Sequence, residues 1–311
     1  MRPICLIRAP CNLGLRPLRP GHEPGTWRAP QALTDAGLVE AIEPAEIVDM
    51  EQLAYHAEAE PGTLLRNGNS LRHFNLELAD HVAQAAERGE FPMIVGGDCA
   101  VLLGALAGRV REGPLSLIHI DGHSDFRHPG NYDAATTLSA VAGMDLALAT
   151  GRGDPLMATW PGVPVPLVPD EQVVQIGERE GRSPGFAWAD VNDTAFNRID
   201  VFKAREIGAD AVVESALATV SQQDWPFFVH FDVDVLDQTV MPAVDSPGSP
   251  GIQPDQLRII LARLIGDQRC AGMTCTIFDP DLDPDSNLAV WLVGLLGDVV
   301  SAARADGREG F

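Results

Sequence analysis

Short apolar runs alternate along this chain with longer stretches of helical period. The runs Pro3–Arg8, Pro92–Val95, Leu115–Ile120, Glu171–Ile176, Phe227–Val233 and Met273–Phe278 predict strands. Helices are predicted over Ser70–Arg88, with Ser70 as its cap and Gly89 as its stop, and over Ala100–Arg109, Ala135–Thr150, Ala209–Val220, Pro254–Leu264 and Asn287–Ala303. This order is that of an α/β fold with a mostly parallel sheet flanked by helices. No internal repeat or low-complexity linker divides the chain. The proline-rich stretch Pro155–Pro169 reads as a surface loop inside one domain, so residues 1–311 are expected to form a single unit.

Composition narrows the function classes. At 311 residues the chain is ordinary for an α/β fold with one large core. With 45% hydrophobic and 21% charged residues, disordered and fibrous classes are excluded. Against 22 Lys and Arg stand 44 Asp and Glu, a formal charge of −22, which repels DNA and RNA. That acid either coats a solvated surface or is partly gathered where cations are held. Near the amino terminus the apolar run Ile4–Ile7 is too short for a signal-peptide core or a membrane span, and no later stretch approaches twenty uninterrupted apolar residues. Cys5, Cys11, Cys99, Cys270 and Cys275 are scattered without CxxC spacing, which argues for reduced thiols in a cytoplasmic protein.

The strongest chemical signal is Ile118-His119-Ile120-Asp121-Gly122-His123-Ser124-Asp125, where an apolar strand ends. Alternate residues of an extended segment share a side, so Asp121, His123 and Asp125 converge. A second strand ends in Phe231-Asp232-Val233-Asp234-Val235-Leu236-Asp237, where Asp232 and Asp234 again share a face. Crowded carboxylates repel, and a divalent cation relieves them. Carboxyl ends of parallel strands meet at one edge of a sheet. Together the clusters offer four aspartates and a histidine, a set suited to Mn²⁺ or Mg²⁺. A third segment, Ile94-Val95-Gly96-Gly97-Asp98-Cys99-Ala100, passes from a strand through glycines to a helix start, where amide dipoles favour a thiolate. On spacing alone, Cys99 reads as a small buried cysteine before it reads as a reactive thiolate. His119 and His230 each lie two residues before an aspartate. On neighbouring strands they would sit side by side beneath the metal layer, either hydrogen-bonding the ligands or as separately satisfied core histidines. No Gly-Lys phosphate loop, strand–GxGxxG–helix unit or GxSxG elbow is present.

The series Gly96-Gly97-Asp98, Asp121-x-His123-x-Asp125 and Phe231-Asp232-Val233-Asp234-x-x-Asp237 resembles the ureohydrolase superfamily of arginases, agmatinases and formimidoylglutamases. Ala9-Pro10, Leu13-Gly14, Ala29-Pro30, Ile176-Gly177-x-Arg179, Met241-Pro242-Ala243 and Ser246-Pro247 extend the resemblance over nearly the whole chain. It implies a three-layer α/β/α fold, a dinuclear Mn²⁺ site, a small-molecule substrate and a homo-oligomer, trimeric or hexameric. By the same resemblance Asp121 and Asp232 bridge two metals, Asp125 serves the first, and His123 and Asp234 the second. Asp98 and Asp237 then support the ligands. The chemistry implied is attack on a planar guanidinium or amidine carbon by hydroxide held between the metals.

Three departures qualify that picture. Cys99 stands where the family carries a histidine ligand; a softer thiolate shifts preference toward Zn²⁺ or Fe²⁺ and could reduce the site to one metal. Ala142 precedes Gly143-Met144 where arginases place a catalytic histidine, leaving Asp125 and His128 as candidate catalytic residues; His128 otherwise reads as an exposed loop histidine. Ile277 takes the place of the glutamate that grips the guanidinium, with Asp279 as a conceivable substitute. These changes point to a modified guanidine, an amidine or a linear amide as substrate. The alternatives are a non-catalytic metal-binding or regulatory protein of the same fold, and a metal-dependent deacylase.

Overall fold

Side-chain alternation along the first strand, β1 (Ile4–Arg8), sets up the layers. Ile4 and Leu6 enter one apolar cluster, and Cys5 and Ile7 enter a second on the opposite face. The computed structural model describes residues 1–306. Seven further strands join β1: β2 (Glu46–Asp49), β3 (Phe91–Val95), β4 (Ser116–Ile120), β5 (Val173–Ile176), β6 (Asn197–Ile199), β7 (Phe227–Asp232) and β8 (Cys270–Thr276). They form one sheet in the order β2-β1-β3-β8-β7-β4-β5-β6, with every pairing parallel.

One face carries α1 (Ala29–Asp35), α2 (Leu38–Ile42), α7 (Val201–Val220), α8 (Pro254–Gly266) and α9 (Asn287–Asp306), whose apolar residues join the cluster of Ile4 and Leu6. The other carries α3 (Gly68–Glu87), α4 (Val101–Arg109), α5 (Asp145–Ala149) and α6 (Pro155–Ala158). This is the three-layer α/β/α arrangement. α9 is long and apolar enough to cross a membrane, but it buries Leu292, Leu296 and Val300 in the core of this face.

Several boundaries differ from the sequence reading. β2 and β6 were not anticipated: both are edge strands, and the mixed exposure of Glu46–Asp49 and Asn197–Ile199 gives them no apolar run. β8 starts and ends earlier than Met273–Phe278, because Ile277 turns to φ +73° and closes the strand. Ala135–Thr150 is not one helix. Ser139 pairs with Leu65 in an isolated bridge and its amide donates to the Leu64 carbonyl, so only a 3₁₀ turn (Val141–Met144) and α5 remain helical. α7 begins eight residues before Ala209, capped by Asp200, whose side chain accepts from the Lys203 amide; Gly208 at φ +81° interrupts its dihedrals. Pro155–Pro169 contains α6 and buries Met157, Trp160 and Val168. Ser70 does not cap α3; its hydroxyl donates to Glu60.

Candidate metal centre

The register of β4 against β7 pairs His119 with His230 and Ile120 with Phe231, so Asp121 and Asp232 emerge side by side at the carboxyl edge of the sheet. β3 ends at the same edge two strands away, and Gly96 and Gly97 turn the chain back over it at φ +98° and +79°. A Cβ on Gly96 would lie 2.2 Å from Pro30 Cγ, so the turn admits no side chain there. Asp98 braces this turn, its two oxygens accepting from the Ala100 and Gly14 amides at 2.9 Å each. Cys99 is thereby delivered to the cluster, its thiol donating to Asp232 Oδ2 at 2.6 Å.

Backbone amides fix the carboxylates. The His123 amide donates to Asp121 Oδ1 at 2.7 Å, the Asp234 amide to Asp232 Oδ1 at 2.7 Å, and the Gly122 amide to Asp234 Oδ1 at 3.1 Å. His123 Nδ1 lies 2.9 Å from Asp234 Oδ2 and 3.7 Å from Asp121 Oδ1. Asp121 Oδ2 is buried without a hydrogen-bond partner among the described residues. Asp125, at φ +43°, faces the same cavity as Cys99, His123, Asp232 and Asp234.

Electrostatics follow from burying so many acids together. Burial, then the charges of Asp234 and Asp121, pushes Asp232 well above the usual carboxylate range; burial and Asp121 do the same to Asp125. Burial and Asp232 push the Cys99 thiol well up. Burial would lower His123 and raise Asp121, yet their mutual contact, with Asp234 on one side and His119 on the other, reverses both.

Beneath this layer the two histidine rings do stack, with centroids 4.8 Å apart and planes 27° from parallel. Asp145, at the start of α5, completes the group: Oδ1 is 3.3 Å from His119 Nε2 and Oδ2 is 3.6 Å from His230 Nε2. Burial raises Asp145 to about 6, and burial with neighbouring His119 holds His230 neutral. His230 Nδ1 meets Thr274 Oγ1 at 2.7 Å.

The cavity above measures about 240 Å³. Besides Cys99, His123, Asp125, Asp232 and Asp234 it is lined by Arg127, Trp188, Ala142, Ile277, Glu180 and Asp245. Burial raises both Glu180 and Asp245 from their ordinary values. A larger hollow of about 590 Å³, lined by Arg8, Trp27 and Arg28, shares none of these residues.

The structure thus brings together Cys99, Asp121, His123, Asp125, Asp232 and Asp234, with Asp98, His119 and His230 beside them. It does not bring His128 in: that imidazole is outside the cavity wall, its Nε2 2.7 Å from Asp190 Oδ2. Asp237 pins the following turn, accepting from the Thr239 and Gly251 amides, and Asp279 accepts from the Gly25 amide instead of lining the cavity. Sequence reasoning missed Asp145, Glu180 and Asp245. Asp145 had a signal, an acid heading the apolar run Leu146-Ala147-Leu148-Ala149 directly after Gly143-Met144. Glu180 and Asp245 lie in loops without a readable pattern.

The sequence model of the arginase family matches residues 3–300. Arginase of Bacillus caldovelox is 27% identical over 310 residues, covering 96% of this chain and 98% of its own. Arginase-1 of Rattus norvegicus is 28% identical over 262 residues, covering 81% and 76%. The native structure of the Bacillus caldovelox arginase superposes with a TM-score of 0.83 at 25% identity, covering 96% and 98%. Formimidoylglutamase of Bacillus subtilis shares the fold, with a TM-score of 0.73 at 17% identity over 97% and 87%.

Proposed function

This chain belongs to the arginase family, and on that premise we propose that it is a metal-dependent hydrolase of a guanidine- or amidine-type C–N bond. The observation that carries the reading is the convergence of Asp125, Asp232, Asp234, His123 and Cys99 on one cavity at the sheet edge, with Asp121 within ligand spacing of Cys99, His123, Asp232 and Asp234. The donors fit a divalent cation. Asp121 Oδ2 is orphaned in the interior, and no Lys or Arg side chain pairs with these carboxylates among the described residues. Asp121, Asp232, Asp125, Cys99, His123 and Asp234 would hold one or two cations, Mn²⁺ by family habit and Zn²⁺ or Fe²⁺ by the thiolate. When bound, such an ion supplies a Lewis acid and lowers the pKa of a coordinated water.

The protein's own residues do the rest. Glu180 and Asp245 form an anionic wall that attracts a cationic guanidinium or amidinium group, in place of a carboxylate at Ile277. Ile277 and Trp188 add apolar surface to the same cavity, and excluding water there strengthens that attraction. With Ala142 in the wall, Asp125 is the residue placed to hold and pass a proton at its carboxylate. Five unpaired, buried cysteines suit a reducing compartment.

The test is release of urea or ammonia from a panel of guanidines, hydroxyguanidines and amidines by protein loaded with Mn²⁺ or Zn²⁺. Turnover that stops on chelation and returns on reloading is expected. Ala142 and Ile277 favour the rival reading, a metal-binding protein without turnover, which saturable binding with no product would establish. Release of acetate from acylated amines would replace both with a deacylase.

A further inference from the structure

His230 lies outside the ligand set carried over from the family pattern, yet its surroundings are those of a ligand. One donor atom from each of Cys99, Asp121, His230 and Asp232 lies within 4.8 Å of the other three, and all four residues are buried. The imidazole is oriented from behind by Thr274 Oγ1, 2.7 Å from Nδ1. Its Nε2 is buried and has no hydrogen-bond partner among the described residues; the nearest acid oxygen, Asp145 Oδ2 at 3.6 Å, is too far and equally unpartnered. Leaving such a nitrogen unpaired in the interior is costly, and a cation among the four donors satisfies it. Asp125 groups instead with His119 and Asp121.

We propose that His230 is a direct metal ligand, closing with Cys99, Asp121 and Asp232 a four-donor site for a borderline-soft cation such as Zn²⁺ or Fe²⁺, deeper than the Asp121–His123–Asp234 group. The inference rests on the metal-hydrolase reading above. One thiolate, one imidazole and two carboxylates make a set that saturates a tetrahedral ion and leaves it no open position. The Asp121–His123–Asp234 group offers three donors and includes the partly exposed His123 on the cavity wall, the count that keeps a position free for chemistry. The two ions would then differ in kind and task, the deep one holding the strand ends together and the outer one serving the reaction.

The experiment is X-ray absorption at the zinc edge of full-length protein carrying one equivalent of Zn²⁺. The proposal expects one sulfur and one imidazole on the same ion. Both remain in His123→Ala; in His230→Gln the imidazole is lost while sulfur stays. Zn²⁺ affinity should fall in His230→Gln by more than the roughly 10–100-fold typical of a residue that only orients a ligand. Sulfur without imidazole in the wild type, or an imidazole lost with His123→Ala and kept in His230→Gln, overturns the proposal and leaves the hydrolase reading standing. Failure of the wild type to retain any Zn²⁺ or Mn²⁺ overturns both. The wild-type spectrum alone decides the first point, so a misfolded variant does not stall the test.

Discussion

At the scale of single residues, the site is a collection of groups whose protonation is tied to folding. Burial and neighbouring acids raise Asp125 and Asp232, and Asp145 reaches about 6. Nearby acids outweigh burial and raise His119 and His123. Each of these binds its proton more tightly folded than unfolded. Its contribution is therefore complete below the unfolded pKa and is lost as pH rises through the folded one. Asp121 runs the other way, but only in the acid range, and His230 opposes the trend only below its unfolded value of about 6.5. The metal-free protein should accordingly lose thermal stability as pH rises above about 6.5, where unfolded histidine gives up its proton and the folded His119 and His123 still hold theirs. A bound cation replaces the protons and flattens that slope. Melting curves of chelated and reloaded protein check this; a chelated midpoint that rises with pH would be the opposite sign. The grouping of Asp121 with His123 and of Asp232 with Asp234 was legible because period-2 spacing at a strand end fixes which residues share a side. Asp145 heads an apolar run whose local pattern does not say what the acid pairs with, and only the fold brings α5 beneath His119 and His230.

At the scale of elements, the site depends on how strands are handed over to loops. The central strands β3, β4 and β7 are buried along their length and could be read from their apolar runs. Edge strands β2 and β6 could not, because half-exposed residues leave no such run. The broken stretch before α5 departs from the expected helix for a different reason: its backbone groups are paired with the segment around Leu65, a long-range choice that local helix period does not record. The Gly96-Gly97 hand-over is the most exacting of these joints. At Gly97, φ is +79° and an added Cβ would meet the Ala9 carbonyl oxygen and Cys11 Cβ at 2.9 Å each. Gly97→Ala should destabilise the fold by about 2 kcal/mol or more through strain and clash. It should also displace Cys99 and weaken binding of a thiophilic ion. Urea denaturation gives the first effect and Zn²⁺ titration the second; a variant as stable as the wild type would contradict the assignment of this turn.

At the scale of the whole molecule, a single parallel sheet gathers residues from positions 99 to 234 at one edge. That gathering makes the −22 charge more than a surface property, since part of it is focused on one cavity that attracts cations. The arginase-like layers were readable from the alternation of runs, and the family motifs fell where strand order needs them. The cavity wall was not readable, because Glu180, Trp188 and Asp245 come from loops whose conformation is set by packing. If this edge holds a divalent cation, the purified protein carries it, and metal content per chain reads that out. Elemental analysis of the purified protein, and of an Asp121→Asn/Asp232→Asn variant shown by circular dichroism to be folded, should find at least one Mn²⁺, Zn²⁺ or Fe²⁺ per wild-type chain and none in the variant. A wild-type chain that stays metal-free after incubation with all three ions would contradict the account.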